Sequence, residues 1–158
     1  MTAAKTILIA DDDSDLADAL AVRCRQLGFN VVIAYDGLAA SSQIAERPFD
    51  LVCVDVNMPF GNGIDVCRML AADDTLASLP VVVLTCRSDE ETVRRCRLLG
   101  VHYVLKSHDL WERIKPLLLE LLQSSPLPNH TRLEHAESSA NRFANDCNVH
   151  GPCKGAKL

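Results

Sequence analysis

The residues of this sequence that could do chemistry are carboxylates, one hydroxyl and one amine, each placed after a short apolar run. They are Asp11, Asp12, Asp13, Asp55, Thr85 and Lys106. Three consecutive carboxylates repel one another unless a cation or a proton relieves the repulsion. Carboxylate oxygens suit Mg²⁺, which takes one or two of them and keeps several waters. Asp13 and Asp15 have an alternative role at the start of a helix, where carboxylates interact favourably with the helix dipole.

A further acidic residue, Asp55, begins a segment that runs to Gly63 and contains one proline and two glycines. Such a segment predicts a sharp turn that leaves the carboxylate at the rim of the domain. A carboxylate can attack phosphorus and form an aspartyl phosphate. That reaction requires a metal ion and fixed cations that neutralise the phosphoryl oxygens. Because Lys106 can supply the cation and Thr85 a hydroxyl donor, these residues together indicate a phosphoryl site.

Five short apolar runs, each followed by a segment with helical spacing, must position these side chains. The runs cover residues 7–10, 31–34, 51–54, 81–84 and 101–105. The first, third and fourth are continuously apolar, which is typical of parallel strands covered on both faces. Strand and helix alternate five times, so the sequence predicts an α/β domain with a doubly wound parallel sheet. The carboxyl ends of such strands share one edge, where the polar residues should meet.

The ends of the helices are marked by residues with capping preferences. Gly28 and Gly100 predict helix C-termini, because glycine adopts the left-handed conformation there. Ser88 and Glu91 form a capping-box pattern that predicts the start of the fourth helix. Pro116 lies within the last helical pattern and is expected to kink or split that helix, because proline lacks the N–H that the turn requires.

The composition predicts one acidic domain. The chain has 158 residues, 48% of them hydrophobic, seven cysteines and a formal net charge of −5, which argues against a broad nucleic-acid or membrane-surface footprint. No apolar run reaches the roughly 18 residues that a membrane span needs. Since no signal-peptide pattern is present either, a cytoplasmic location is expected. The scattered cysteines favour reduced thiols over a disulfide framework.

Apolar periodicity stops after Gln123, which divides the chain into a domain over residues 1–123 and an extension over residues 124–158. The extension is expected to be flexible. It contains Cys147, His150 and Cys153. Their spacing differs from the usual paired zinc ligands, so a chance occurrence is favoured over a metal site.

In combination the motifs resemble the receiver domain of bacterial two-component response regulators, of the stand-alone kind found in chemotaxis. The resemblance covers residues 5–123. It rests on the segment Ile7–Asp13, on Asp55-x-x-Met58-Pro59-x-x-x-Gly63, and on Thr85 and Lys106. It implies a flavodoxin-like (βα)5 fold whose five-stranded sheet has the strand order 2-1-3-4-5.

The resemblance also implies the roles of the acidic residues. Asp55 matches the position that accepts a phosphoryl group from the phosphohistidine of a histidine kinase or phosphotransfer protein. Asp12 matches the main Mg²⁺ ligand, and Asp11 lies beside it. Asp55 and the backbone carbonyl of Asn57 match the remaining protein ligands of the metal.

The same resemblance implies a switch. Lys106 would pair with the phosphoryl group, Thr85 would form a hydrogen bond with it, and Tyr103 would move inward with Thr85. The fourth helix, fifth strand and fifth helix would then act on a protein partner or form a phosphorylation-dependent dimer. Neither direct nucleic-acid binding nor membrane insertion is expected. Such a protein is not an enzyme, since it catalyses only its own phosphoryl transfer and dephosphorylation.

Three residues depart from the family pattern. Ser107 stands where a proline usually follows the lysine, Cys86 where a smaller residue usually follows the threonine, and Pro116 lies in the last helix. The usual proline follows a cis peptide bond, which before another residue costs about 2.5–4 kcal/mol. We therefore expect a trans bond after Lys106 and a shifted loop. Cys86 is expected to narrow access to the site.

Two other functions stay open at this point. A haloacid-dehalogenase-like phosphatase would use Asp11 as nucleophile and Asp13 as general acid, with Asp55 a bystander. Such enzymes resemble longer chains with another acidic motif after the lysine, which argues against that alternative. A receiver fold that serves as a docking module and is never phosphorylated is the second alternative, and Ser107 and Pro116 favour it.

Overall fold

The structure, a computed structural model, describes residues 3–86 and 89–123 as five strands that alternate with five helices. The strands are β1 (Thr6–Ala10), β2 (Asn30–Ala34), β3 (Leu51–Asp55), β4 (Val81–Thr85) and β5 (His102–Leu105). The helices are α1 (Ser14–Gln26), α2 (Gly37–Glu46), α3 (Gly63–Ala72), α4 (Glu90–Leu99) and α5 (Leu110–Gln123). Neighbouring strands pair in parallel in the order β2-β1-β3-β4-β5, which confirms the predicted fold and strand order. The predicted flexible extension over 124–158, with Cys147, His150 and Cys153, lies outside the described residues.

The sheet separates two apolar cores, because successive side chains of a strand point to opposite faces. Ile7 and Ile9 of β1 pack on the side that α1 and α5 cover. Leu8 and Ala10 pack on the side that α2, α3 and α4 cover. Every residue of β3 and β4 is buried, whereas the edge strands β2 and β5 are partly exposed. This two-sided burial explains the continuously apolar runs in the sequence.

Four helices begin at a side chain that accepts a hydrogen bond from a backbone N–H three residues further on. These caps are Asp13, Asp36, Asn62 and Asp89. The predicted cap Ser88 is wrong by one residue, because the carboxylate of Asp89 accepts from the N–H of Thr92 at 2.9 Å. A carboxylate also interacts more favourably with the helix dipole than a hydroxyl does. Gly28 and Gly100 have φ values of 92° and 64° at the ends of α1 and α4, as predicted.

The last helix, α5, continues through Pro116 as one element, so the predicted split does not occur. Ile114, Leu117 and Leu118 are buried on both sides of the proline. Their burial stabilises the helical conformation on either side of the hydrogen bond that Pro116 cannot donate.

The cysteines of the described residues are free thiols. Cys24, Cys53, Cys67 and Cys96 are buried, and Cys86 is exposed. Burial raises the pKa of the Cys24 thiol to about 11 and that of Cys67 to about 12. In the part of the chain that the structure describes, no helix combines the length and apolar character that a membrane crossing requires.

Candidate functional site

Four of the predicted site residues meet at the carboxyl ends of β1, β3 and β5: Asp11, Asp12, Asp55 and Lys106. Asp11 and Asp12 follow β1, and Asp55 is the last residue of the neighbouring strand β3. The chain reverses its strand order between β1 and β3, which is where ligands bind in open α/β sheets. One carboxylate oxygen from each of Asp11, Asp12 and Asp55 lies within 4.8 Å of the others. The fold thus brings together carboxylates that lie more than forty residues apart in the sequence.

Lys106 joins this cluster from the end of β5. Its Nζ lies 2.6 Å from Oδ2 of Asp11 and 3.2 Å from Oδ1 of Asp55. The Lys106 side chain is 12% exposed, and those of Asp11 and Asp55 are 0% and 6% exposed. Burial acts to lower the pKa of Lys106, but hydrogen bonds to the two carboxylates and their charges outweigh it and raise that pKa overall. Lys106 is therefore a fixed ammonium group between two carboxylates.

The carboxyl group of Asp55 has a raised pKa. Burial raises its pKa to about 6, the Lys106 charge opposes that rise, and the Asp11 charge adds to it. The backbone N–H of Asn57 donates a hydrogen bond to the carboxylate and also lowers the pKa. Asp55 is only 4% exposed, so the expectation that it lies at the rim is wrong. Its carboxylate instead lies inside the cluster formed with Asp11, Asp12 and Lys106.

Two glycines fix the loop between β3 and α3: Gly63, which ends the segment that begins at Asp55, and Gly37 at the start of α2. A Cβ on Gly63 would lie 2.1 Å from the backbone oxygen of Asp55, and one on Gly37 would lie 2.0 Å from that of Gly61. The N–H of Gly63 donates to Val56, and the N–H of Gly37 donates to Pro59. Only glycine permits these backbone approaches. In the sequence, their position at the first residue of a helix was the available signal.

Asp13 belongs to the end of α1 rather than to the carboxylate cluster. Its Oδ1 accepts the N–H of Leu16 at 3.1 Å, which makes it the N-cap of α1. Its own N–H donates to Oδ1 of Asp11 at 3.0 Å and helps to orient that carboxylate. For Asp13, the helix-start alternative raised by the sequence is the observed one.

Thr85 and Tyr103 lie on neighbouring strands next to the cluster. Thr85 is fully buried at the end of β4 and pairs with Leu105, and its carbonyl accepts the N–H of Lys106 at 2.7 Å. Tyr103 pairs with Val83, is half-buried, and packs on the side of the sheet that α4 covers. Because alternate residues of a strand share a face, the side chains of Thr85 and Tyr103 point to the same side of the sheet.

The donor set of the cluster fits a hard divalent cation. Asp11, Asp12 and Asp55 offer carboxylate oxygens and no sulfur or nitrogen ligand, which favours Mg²⁺ or Mn²⁺ over softer metals. Asp12 is exposed, so the cluster opens to solvent on that side. The peptide bond that follows Lys106 is trans, as expected, because the described residues contain no cis peptide bond.

A search against family models matches residues 7–114 to the response regulator receiver domain. Among curated proteins, the DNA-binding response regulator MtrA of Mycobacterium tuberculosis is 41% identical over 88 residues, which are 56% of this chain and 37% of MtrA. The sensory transduction protein RegX3 of Mycobacterium bovis is 34% identical over 110 residues, which are 69% of this chain and 47% of RegX3. The chain thus spans less than half the length of these relatives.

Solved structures share the fold. The signal receiver domain of a histidine kinase from Syntrophus aciditrophicus is 28% identical, with a TM-score of 0.66 over 78% of this chain and 97% of that one. The Mn²⁺-bound form of response regulator Rcp1 is 26% identical, with a TM-score of 0.69 over 78% and 99%. Chemotaxis response regulator CheY4 of Vibrio cholerae is 21% identical, with a TM-score of 0.69 over 76% and 100%.

The match to the receiver domain family excludes the phosphatase alternative. In that alternative Asp55 would be a bystander, but Asp55 lies inside the carboxylate cluster. The solved structures agree with the fold and the strand order of the sheet. The chain belongs to the response regulator receiver domain family.

Proposed function

We propose that this receiver domain accepts a phosphoryl group on Asp55 from the phosphohistidine of a histidine kinase or a phosphotransfer protein. The observation that carries the proposal is the contact of one lysine with two buried carboxylates beside a third, exposed one. Structural ion pairs are seldom buried in this way, because desolvation of the charges is costly. A site that must receive a dianionic group needs such a concentration of charge.

The chemistry requires one bond to form and one to break. An Asp55 carboxylate oxygen attacks phosphorus, and the phosphorus–nitrogen bond to the donor histidine breaks with its electron pair returning to the imidazole. Lys106 lies 3.2 Å from Asp55 and compensates the charge of the transferred group. Asp11, Asp12, Asp55 and the backbone carbonyl of Asn57 would hold Mg²⁺, which supplies charge neutralisation for the phosphoryl oxygens. The Mn²⁺-bound form of Rcp1 supports a divalent ion in this role.

Transmission of the signal is assigned to Thr85 and Tyr103. Their side chains face the same side of the sheet, below α4, so a hydrogen bond from the Thr85 hydroxyl to the phosphoryl group would change the space that Tyr103 occupies. The surface of α4, β5 and α5 then presents a different shape to a protein target or to a second copy of the domain. Phosphorylation of Asp55 would thus change the local charge and shift the α4, β5 and α5 surface between two conformations.

The nature of the output is part of the proposal. MtrA is named a DNA-binding response regulator, but the net charge of this chain is −5, which supports a protein partner rather than direct contact with nucleic acid. We assign the receiver to residues 1–123 and place the protein in the cytoplasm. The four buried free thiols support a reducing compartment.

Incubation of the full chain with Mg²⁺ and phosphoramidate, followed by intact-mass analysis, tests the proposal. The wild type should gain one phosphoryl group, and Asp55→Asn should gain none. Asp65→Asn is the matched control, because Asp65 is an exposed carboxylate in the first turn of α3. Labelling of Asp55→Asn at the wild-type rate would refute the assignment. Absence of labelling in the wild type, together with no Mg²⁺-dependent binding of beryllofluoride, would favour the docking module.

A further inference from the structure

The loop between β5 and α5 contains a network of side chains that has no part in the site described above. Lys106 is held in the sheet by its own N–H, which donates to the carbonyl of Thr85 at 2.7 Å. The next residue is Ser107, and the bond between them is trans. A serine does not restrict its own φ as a proline ring does, so the course of the chain after Lys106 must be fixed by other contacts.

Three residues supply those contacts, and we refer to Ser107, Asp109 and Arg113 as the loop anchor. The Ser107 hydroxyl donates to Oδ1 of Asp109. The other oxygen of the same carboxylate, Oδ2, accepts from Nε of Arg113 at 2.8 Å. The hydrogen bond from Ser107, together with that from Arg113, lowers the pKa of Asp109 to about 2, so the carboxylate is charged at neutral pH.

The loop anchor is joined to the buried part of α5 by the backbone. The N–H of Leu110 donates to the carbonyl of Ser107 at 3.0 Å, and that of Arg113 donates to the carbonyl of Asp109 at 3.2 Å. Leu110 and Ile114 are 5% and 1% exposed, so the first turn of α5 is fixed in the core. The residue directly after Lys106 is thereby tied through its side chain and its carbonyl to a rigid helix.

We infer that the loop anchor positions the Lys106 ammonium group for the phosphoryl group on Asp55, in the place of a ring-constrained residue after the lysine. This inference rests on the proposed function of Asp55. Ser107 and Asp109 do not touch the carboxylate cluster, and they act through the backbone of Lys106. They are positioning residues, and a change in either should affect the step that needs the lysine more than the step that needs only the carboxylates.

The test compares two ligands of the full chain. Mg²⁺ alone, titrated by calorimetry, reports on the carboxylates, and beryllofluoride with Mg²⁺, followed by fluorine NMR, reports on the carboxylates and Lys106 together. In Ser107→Ala, beryllofluoride affinity and the phosphoramidate labelling rate should each fall about tenfold, because a displaced catalytic group loses its alignment. Mg²⁺ affinity should stay within about twofold of the wild type, as expected for a residue away from the ligands.

Two further variants separate positioning from a general loss of structure. Ser107→Thr keeps the hydroxyl and should retain most of the beryllofluoride affinity, while Asp109→Asn should weaken it in the same direction as Ser107→Ala. Arg95→Gln is the control, because Arg95 forms an equivalent ion pair four residues from Glu91 on α4. If circular dichroism shows that Ser107→Ala does not fold, Asp109→Asn decides the question.

Three results would overturn the inference. Beryllofluoride affinity could be unchanged in both Ser107→Ala and Asp109→Asn, Mg²⁺ affinity could fall by the same factor as beryllofluoride affinity, or Ser107→Thr could be as defective as Ser107→Ala. Failure of the proposed function is distinct, because it appears in the wild type as absence of labelling or in Asp55→Asn as persistent labelling. In that case the inference fails with it.

Discussion

Two groups of ion pairs in this molecule use the same side-chain chemistry in opposite surroundings. On α4, Glu91 pairs with Arg94 and Arg95, and these side chains are 43–66% exposed. At the edge of the sheet, Lys106 pairs with Asp11 and Asp55, and none of these side chains is more than 12% exposed. An exposed pair contributes about 0.2–1 kcal/mol to stability. A buried group of charges carries a desolvation cost, so its presence points to function rather than to stability.

The paired arginines of α4 are exposed, unlike Lys106. The sequence places Arg94, Arg95 and Arg97 on this helix, and a run of charges on a helix is usually a solvated face. In the structure Arg94 and Arg95 both contact the carboxylate of Glu91, whose pKa their hydrogen bonds lower. One carboxylate therefore offsets part of the positive charge of two arginines within about one helical turn, and these three side chains form an exposed ion-pair group.

The largest effect should follow removal of the buried cation. Lys106→Met should reduce the phosphoramidate labelling rate about hundredfold, because the charge on the phosphoryl group is no longer compensated. Without Mg²⁺ at pH 8, it should also lower the free energy of unfolding by about 3 kcal/mol, since two buried carboxylates lose their partner. Urea unfolding and the labelling assay measure both effects. Arg95→Met is the matched control. If both variants changed the free energy of unfolding and the labelling rate equally and only slightly, the buried and the exposed ion pairs would not differ in role.

A somewhat smaller loss of stability is expected when a methyl group is added at Gly63, next to the backbone oxygen of Asp55. In Gly63→Ala the new methyl group would overlap the backbone oxygen of Asp55, which should lower the free energy of unfolding by about 2 kcal/mol. The labelling rate should fall as well, because the acceptor loop must shift. Gly28→Ala is the control: it has a positive φ but no atom within 4 Å, so it should cost about 1 kcal/mol and leave the labelling rate unchanged. Normal labelling of Gly63→Ala would show that the loop does not depend on this approach.

The pKa of Asp55 predicts a pH dependence that exposed carboxylates should lack. With a pKa of about 6 in the folded state, Asp55 holds a proton that Mg²⁺ must displace at pH 5 but not at pH 7. Mg²⁺ affinity should therefore fall about tenfold between pH 7 and pH 5. Because the folded pKa lies above the ordinary value of 3.8, the stability of the metal-free protein should decrease as pH rises from about 4 to about 6.

Calorimetric Mg²⁺ titrations and urea unfolding across this pH range measure both trends. Asp55→Asn is the control, since it removes the titrating group and should abolish the contribution of Asp55 to each. A stability profile that is unchanged in Asp55→Asn would contradict the raised pKa.

The smallest effect belongs to the exposed pairs. Glu91→Gln removes the partner of two arginines and should change the free energy of unfolding by less than about 1 kcal/mol, because solvent and salt already screen these charges. Labelling of Asp55 should be unaffected. Urea unfolding at low and high salt checks the expectation. If Glu91→Gln lowered the free energy of unfolding as much as Lys106→Met, solvent exposure would not distinguish the ion pairs of α4 from those of Lys106.

The elements of the fold were predictable because their signals are local. The runs at residues 7–10, 51–54 and 81–84 are apolar at every position, and the structure shows why: both faces of their strands are covered. The helix ends at Gly28 and Gly100 were also predictable from the sequence, since a positive φ at these positions favours glycine. The capping-box pattern of Ser88 with Glu91 places the start of α4 one residue too early, because the adjacent Asp89 has a similar capping preference and is the observed cap.

Parts of the site were not predictable, because they depend on contacts between segments distant in the sequence. Asp11 and Asp12 belong to the carboxylate cluster, whereas α1 begins directly after Asp13 and makes that residue its N-cap. Asp55 is buried among groups from other segments, beside Asp11, Asp12 and Lys106. Neither can be read from residue types, since an aspartate has the same preferences in a cap, a metal site or a loop.

By itself, the sequence determined the strands, the helices, the edge at which the polar residues meet and the family to which their spacing belongs. These properties follow from hydrophobic periodicity and from the rule that parallel strands present their carboxyl ends together. Only the tertiary structure decided that Lys106 contacts both Asp11 and Asp55, that Asp55 is buried with a raised pKa, and that Ser107 is tied to α5 through Asp109. The physical reason is that burial and distance set the strength of electrostatic interactions, and both arise only when the strands are assembled.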